Sequence, residues 1–187
     1  MKFKVAGVTA LLFMSGASCA TAGPAVDAAT KAESLASEGK VAEAIDTLSG
    51  AFDALCQTSP LAVRKAVIVD SSHGYGDYAE RSDKTFKPDE KLRVYVEPIC
   101  LQAGTDGKMG FKADLEIENA TGQVLAEAKD VFSISVPARR EFSTTLSLGV
   151  PFLRPGEYKV RFTLHDQNSG KTGEFEVPFS IALPTAN

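Results

Sequence analysis

The sequence holds no tryptophan, two histidines, three cysteines and three methionines in 187 residues. Each scarcity removes a class of chemistry. A zinc site needs three or four His, Cys, Asp or Glu ligands at close spacing, which two separated histidines do not supply. A nucleophilic triad needs Ser or Cys beside a His base. Ser71-Ser72-His73 puts hydroxyls next to an imidazole only along the chain, and His165 continues the polar series Lys159, Arg161, Thr163. The G-x-S-x-G elbow is absent. So is a glycine-rich loop opening a helix, which a nucleotide phosphate would require. Asp77, Glu80 and Asp83 are too scattered for a calcium loop. No catalytic residue, cofactor or metal ligand is therefore predicted. Clustered positive charge is missing too: the net charge is −4 and the pairs Arg64-Lys65 and Arg139-Arg140 stand alone, which argues against a nucleic-acid partner.

What remains is ordinary globular material, 44% hydrophobic and 24% charged, enough to build a core and unlike any fibrous or disordered composition. Residues 1–22 read as a secretory signal. Lys2 and Lys4 precede an apolar stretch, Val5 to Met14, and small residues lead to Ala20-Thr21-Ala22. The apolar run ends at Ser15, well short of the ~20 residues that span a bilayer, so no transmembrane segment is expected after cleavage. Cys19 offers a rival, lipoprotein-type processing site, although Gly16 stands where that pattern usually has Leu, Val or Ile. The expected location is periplasmic or extracellular. There, Cys56 and Cys100 form an even pair, and a disulfide between them is predicted.

Residues 23–60 read as a helical hairpin. Ala, Glu, Lys and Leu dominate between Ala25 and Leu55 without a proline. Val41, Ile45, Leu48, Phe52 and Leu55 recur at helical spacing on one face, and Gly39 suits the left-handed residue between two helices. Ala32, Gly39, Ala44, Leu48 and Ala51 resemble a single tetratricopeptide unit. One unit cannot bury its face alone, so the hairpin is expected to pack on the domain that follows.

From Arg64 the period becomes two. Leu92, Val94 and Val96 alternate with Arg93, Tyr95 and Glu97; Phe111, Ala113, Leu115 and Ile117 alternate with Lys112, Asp114, Glu116 and Glu118. Phe132 to Val136, Phe142 to Leu148, Tyr158 to Leu164 and Phe175 to Ile181 continue the pattern, and Ala66 to Val69 brings the count to seven strands. Short alternating strands with turns such as Asn119-Ala120-Thr121-Gly122 between them predict a mainly β antiparallel sandwich over 61–187. Lys159, Arg161, Thr163 and His165 face outward from the sixth strand. Acidic outward residues on the third strand and on the seventh (Glu174, Glu176) favour an order with the sixth strand between them.

Phe152-Leu153-Arg154-Pro155-Gly156-Glu157-Tyr158 resembles the tyrosine corner of immunoglobulin-like and fibronectin type III domains. That likeness implies a seven-stranded immunoglobulin-like sandwich with the Tyr158 hydroxyl bonded back to the preceding connection. The stretches 74–78, 86–98 and 178–181 resemble an uncharacterised family of secreted bacterial proteins, which implies an envelope location and carries no activity.

The remaining candidate site is His73 to Arg81, read as a long loop whose Tyr75, Asp77, Tyr78 and Arg81 form a recognition surface or else cover the end of the sandwich with their rings tucked inward. The leading expectation is a non-enzymatic binding module whose partner is an envelope protein or polymer. The alternatives are a structural or assembly subunit of the envelope, and an enzyme with Asp77 and Glu80 as paired carboxylates.

Overall fold

A computed structural model describes residues 23–183. The predicted leader at 1–22, with Cys19, lies outside the described residues. The chain divides into two compact units, one ending at Ala51 and one beginning at Phe52.

The first unit contains helix α1, Pro24–Ser37, and most of helix α2, Val41–Thr58. Pro24 opens α1, where a missing N–H costs nothing. Gly39, at φ 78, closes it, and the Lys40 N–H bonds the Leu35 carbonyl. Ala32 and Ala44 are buried, their small side chains allowing close approach between helices. The predicted apolar face behaves differently: Val41, Ile45, Leu48, Phe52 and Leu55 remain 40–57% exposed. The division between the units falls ahead of the expected 60/61. The last turns of α2 belong to the second unit, because the Cys56 and Cys100 Sγ atoms lie at bonding distance, 2.06 Å, and Lys171 donates to the Cys56 carbonyl.

The second unit is mainly β. Its strands are β1 (Ala62–Gly74), β2 (Asp77–Glu80), β3 (Thr85–Phe86), β4 (Lys91–Ile99), β5 (Lys108–Asn119), β6 (Val124–Pro137), β7 (Thr144–Gly149), β8 (Gly156–Asp166) and β9 (Thr172–Ile181). They form a four-stranded sheet, β2-β1-β4-β7, and a five-stranded sheet, β3-β9-β8-β5-β6. The expected seven strands become nine among the described residues. β1 runs on through polar Asp70-Ser71-Ser72-His73, whose composition hides a strand, and then turns back as β2. β3 is two residues long and pairs parallel to β9.

The inward residues of β4, β5 and β8 are those the alternation selects: Leu92, Val94, Val96, Phe111, Ala113, Ile117, Val160, Phe162 and Leu164 are essentially inaccessible. They interdigitate between the sheets as one core. β8 lies between β5 and β9, as the charge pattern leads one to expect. Arg161 bonds Glu116 at 2.9 Å, Glu118 at 2.8 Å and Glu176 at 2.7 Å, while Lys159 lies 3.3 Å from Glu118 and 3.1 Å from Glu176. At the entry to β8 the Tyr158 hydroxyl donates to the Arg154 carbonyl at 2.7 Å.

Candidate functional site

His73 to Arg81 is a β-hairpin, not a long loop. Gly74 pairs with Asp77 and Ser72 with Tyr78, leaving Tyr75-Gly76 as the turn. Gly76 has φ 73, a left-handed value glycine adopts freely. The turn is pinned from below, because the Gly76 N–H donates to the Tyr95 hydroxyl at 2.8 Å, and that hydroxyl donates to Glu97 Oε1 at 2.7 Å. Tyr78 stacks on Tyr95 with ring centroids 4.4 Å apart. Tyr95 and Glu97, expected to face solvent, are thus buried beneath the hairpin. Burial raises the Tyr95 phenol above its ordinary value. Glu97 Oε2 accepts from Arg64 Nε at 3.0 Å and Nη2 at 2.8 Å, so the buried carboxylate is fully partnered.

The four candidate residues therefore divide. Tyr75 and Tyr78 are half-buried, Tyr75 with the Arg64 guanidinium 5.0 Å from its ring centre and Tyr78 with Lys65 Nζ at 5.4 Å. Asp77 is exposed. Arg81 sits at the hairpin's base, its guanidinium 4.3 Å from the Phe86 ring centre. It is ion-paired with Glu90 and also bonds the Thr85 carbonyl at 3.1 Å. Arg81 thus ties β2, β3 and the turn before β4 together. Asp77 and Glu80 stand three residues apart on β2, so their side chains leave opposite faces of the strand. Of the histidines, His73 is exposed and His165 Nε2 lies 3.0 Å from Asp114 Oδ2. Among the described residues no group of three or more His, Cys, Asp and Glu side chains is placed to hold a metal ion.

A different part of the second unit has the shape of a binding site. A cleft of about 550 Å³ opens beside Cys56 and Cys100. The last turns of α2 supply one wall with Phe52, Asp53 and Cys56. The end of β4 and the segment after it supply Ile99, Cys100, Leu101 and Gln102, the start of β5 supplies Met109, and the segment after β6 supplies Arg139 and Arg140. Met109 is buried. Arg140 pairs with Asp53 at 2.7 Å and lies 5.4 Å from the Phe52 ring centre, and Arg139 lies over Phe142 at 5.6 Å.

The walls are held from behind. Buried Asp166 accepts the Gln102 N–H at 2.7 Å, the Ser169 hydroxyl at 2.8 Å and the Asn168 N–H at 3.0 Å, while Asn168 Nδ2 donates to the Gln102 carbonyl at 2.9 Å. Cys100 itself adopts φ 67, a conformation L residues avoid unless the surroundings impose it. The cleft combines apolar walls with a rim of Arg139 and the Arg140 to Asp53 pair, a net positive edge, so it suits a segment that is apolar on one side and anionic on the other. The sequence conceals it because Arg139-Arg140 reads as a solvated strand end. The signal that could have found it is the Cys56 and Cys100 pair, which draws α2 to the end of β4. A second hollow, about 590 Å³, is lined by Tyr158 and Phe179 with the charged residues Lys84, Glu118, Glu157 and Lys159, of which Lys159 and Glu118 pair with each other.

No family model matches the chain, and no curated protein matches it. Among solved structures it is similar to the sporulation control protein Spo0M from Bacillus subtilis, at 10% identity and a TM-score of 0.40 over 67% of this chain and 50% of that one. A superoxide reductase (neelaredoxin) from Ignicoccus hospitalis matches at 10% identity and 0.37, over 64% of this chain and 82% of that one. A β-glucuronidase from Bifidobacterium dentium matches at 12% and 0.36, over 66% and 18%. The chain thus spans half the length of the sporulation protein and a smaller part of the glucuronidase. Likenesses at these scores carry no argument about its fold or activity.

Proposed function

We propose that the chain is an extracytoplasmic, non-enzymatic binding module: an immunoglobulin-like sandwich that takes an apolar, carboxylate-bearing segment of an envelope protein or polymer into the cleft beside Cys56 and Cys100. The observation that carries this reading is the cleft itself, with Phe52, Ile99, Leu101 and Met109 on its walls and Arg139 and Arg140 at its rim. The immunoglobulin-like reading is supported by β1, β4 and β7 sharing one sheet while β5, β6, β8 and β9 share the other, and by the Tyr158 to Arg154 bond. The extracytoplasmic reading is supported by the cysteine pair; among the described residues no helix is long and apolar enough to cross a membrane. Binding rather than catalysis is favoured because Asp77 and Glu80 diverge.

The test titrates isotopically labelled protein with short peptides ending in an apolar residue and a free carboxylate. Saturable amide shifts confined to 99–103 and 138–140, weakened by Arg139→Glu, support the reading. Shifts at Tyr75 to Tyr78 instead would move the site to the hairpin, and no saturable shift at any peptide sequence would defeat it.

A further inference from the structure

A sheet edge is a row of unpaired main-chain donors and acceptors, which proteins normally blunt with charge, proline, bulges or brevity. Three of the four edges among the described residues are modest: β2 has four residues including Asp77 and Glu80, β3 has two, and β7 has six. β6 is a 14-residue edge strand, paired among the described residues with β5. Its first half is protected. The register jumps between Ala113 and Leu115, which oppose Phe132 and Ala128, and the bulge carries Lys129 and Asp130, the latter at φ 52. Its end is stopped by Pro137. Between these guards, Phe132-Ser133-Ile134-Ser135-Val136 contains no charge, proline or glycine.

The main chain of this segment has a defined polarity. The Ala138 N–H donates to the Gly107 carbonyl at 2.9 Å, continuing the register in which Val136 opposes Met109 and Ile134 opposes Phe111. Even-numbered residues thus direct their N–H and C=O at β5. In an antiparallel ladder the residues between them direct theirs the other way. Ser133 and Ser135 present their main-chain groups to the open edge. Phe132, Ile134 and Val136 point inward yet remain only half-buried, because the core ends at this edge.

The segment also reads alike in both directions about Ile134: apolar, serine, Ile, serine, apolar. We propose that this edge takes a second copy of the same chain, β6 against β6 across a two-fold axis through Ile134. In that register Phe132 opposes Val136 of the second copy and Ser133 opposes its Ser135. Those two serine positions are the ones whose main-chain groups are open, so they exchange reciprocal N–H to C=O bonds on both sides of the axis. An isologous contact requires such self-complementarity. β7 is uncharged too but lacks it, since about Leu146 its Thr144 would oppose Leu148. One strand pair is small beside the ~800 Å² per partner of a standard interface, so the dimer forms with increasing concentration and is not permanent.

Sedimentation velocity on the full chain over a concentration series up to millimolar reads the equilibrium, beside a pair of variants at the outward-facing serines. Ser133→Lys with Ser135→Lys places like charges directly opposite one another and should abolish the dimer. Ser133→Glu with Ser135→Lys places opposite charges there and should restore it. Loss in the first and recovery in the second, with both urea midpoints near that of the parent, support the proposal. A parent that stays monomeric throughout overturns it, whatever the variants do. A dimer indifferent to the double lysine overturns the β6 edge as the contact, and loss in both variants overturns the register.

Discussion

Breaking the link between Cys56 and Cys100 is the sharpest perturbation the structure offers. The two residues are 44 apart in sequence, with Cα atoms 4.8 Å apart. Closing a loop of that length in the unfolded chain corresponds, on the loop-entropy account, to about 4 kcal/mol of stability at 25 °C. A second contribution comes from the backbone. Cys100 holds φ 67, and the left-handed region costs an L residue about 1–2 kcal/mol that glycine escapes. Cys56→Ala with Cys100→Ala should therefore lose roughly 4 kcal/mol against the oxidised parent. Cys56→Ala with Cys100→Gly should lose about 1 kcal/mol less.

The assay is urea unfolding followed by near-ultraviolet circular dichroism. The protein has no tryptophan, and its four tyrosines all lie beyond Phe52, so the signal reports the β unit by itself. Oxidised and reduced parent are compared with both double variants. The denaturant slope should rise on reduction, because an uncrosslinked unfolded chain exposes more surface. Equal midpoints for oxidised and reduced protein would refute the crosslink. Equal midpoints for the two double variants, alanine against glycine in place of Cys100, would refute the left-handed backbone at that position.

Tyr158→Phe keeps the ring against Phe179 and removes the bond to the Arg154 carbonyl; a loss of about 1 kcal/mol in urea unfolding is expected, and an unchanged midpoint would reduce the corner to a turn. Arg161→Glu would replace the shared cation with a further carboxylate among Glu116, Glu118 and Glu176; its midpoint should fall at low salt and recover toward the parent at 1 M salt, where screening acts within about 3 Å. Acid should destabilise the fold through carboxylates held below their ordinary range. Glu90 is held there first by its bond from Arg81, Asp114 by the Asp130 N–H and then His165, and Glu176 by Arg161 and Lys159. Groups with lowered folded values stabilise fully above the ordinary carboxylate range and lose that contribution as pH falls through the folded values. Glu90→Gln should accordingly flatten the acid side of the midpoint-against-pH curve, and a parallel curve would show that the Arg81 bond does not form.

Much of the sandwich was legible because burial on one side of a strand writes itself as alternation. Leu92-Val94-Val96 and Val160-Phe162-Leu164 are apolar at every second place and are the residues without solvent access. The basic outward face of β8, flanked by acids, revealed its neighbours, since charges on a sheet surface report which strands lie side by side. What escaped was decided by contacts between residues distant in sequence. Tyr95 and Glu97 follow the outward parity of Arg93, and nothing local reveals that a hairpin made by Asp70 to Glu80 folds over them. The extension of β1 escaped because Asp70 to Gly74 form a two-stranded ribbon with β2 whose side chains are exposed or half-exposed, and such a ribbon needs no apolar period. The cleft escaped because its walls come from four separate segments.

The two outer faces explain why the proposed recognition sites lie at an end and an edge of the second unit. On the four-stranded sheet, Glu97 is 6% exposed and would be costly there without partners; Arg64, Tyr95 and the Tyr75-Gly76 turn satisfy it, so the aromatic and charged groups of that face are spent on one another. Removing Arg64 would leave a buried carboxylate with one of its three bonds, the arrangement in which breaking a pair costs far more than never having built it. On the five-stranded sheet, Lys159 and Arg161 are shared among Glu116, Glu118 and Glu176, and Lys112 and His165 are engaged by Asp130 and Asp114 at 2.8 Å and 3.0 Å. A ligand docking flat on either face would have to break these pairs before gaining its own. At the cleft by Cys56 and Cys100 a ligand meets apolar walls and Arg139 and competes with the Arg140 to Asp53 pair, and along Ser133 to Ser135 main-chain groups are open, so less of the binding energy at either proposed site is consumed by undoing the fold.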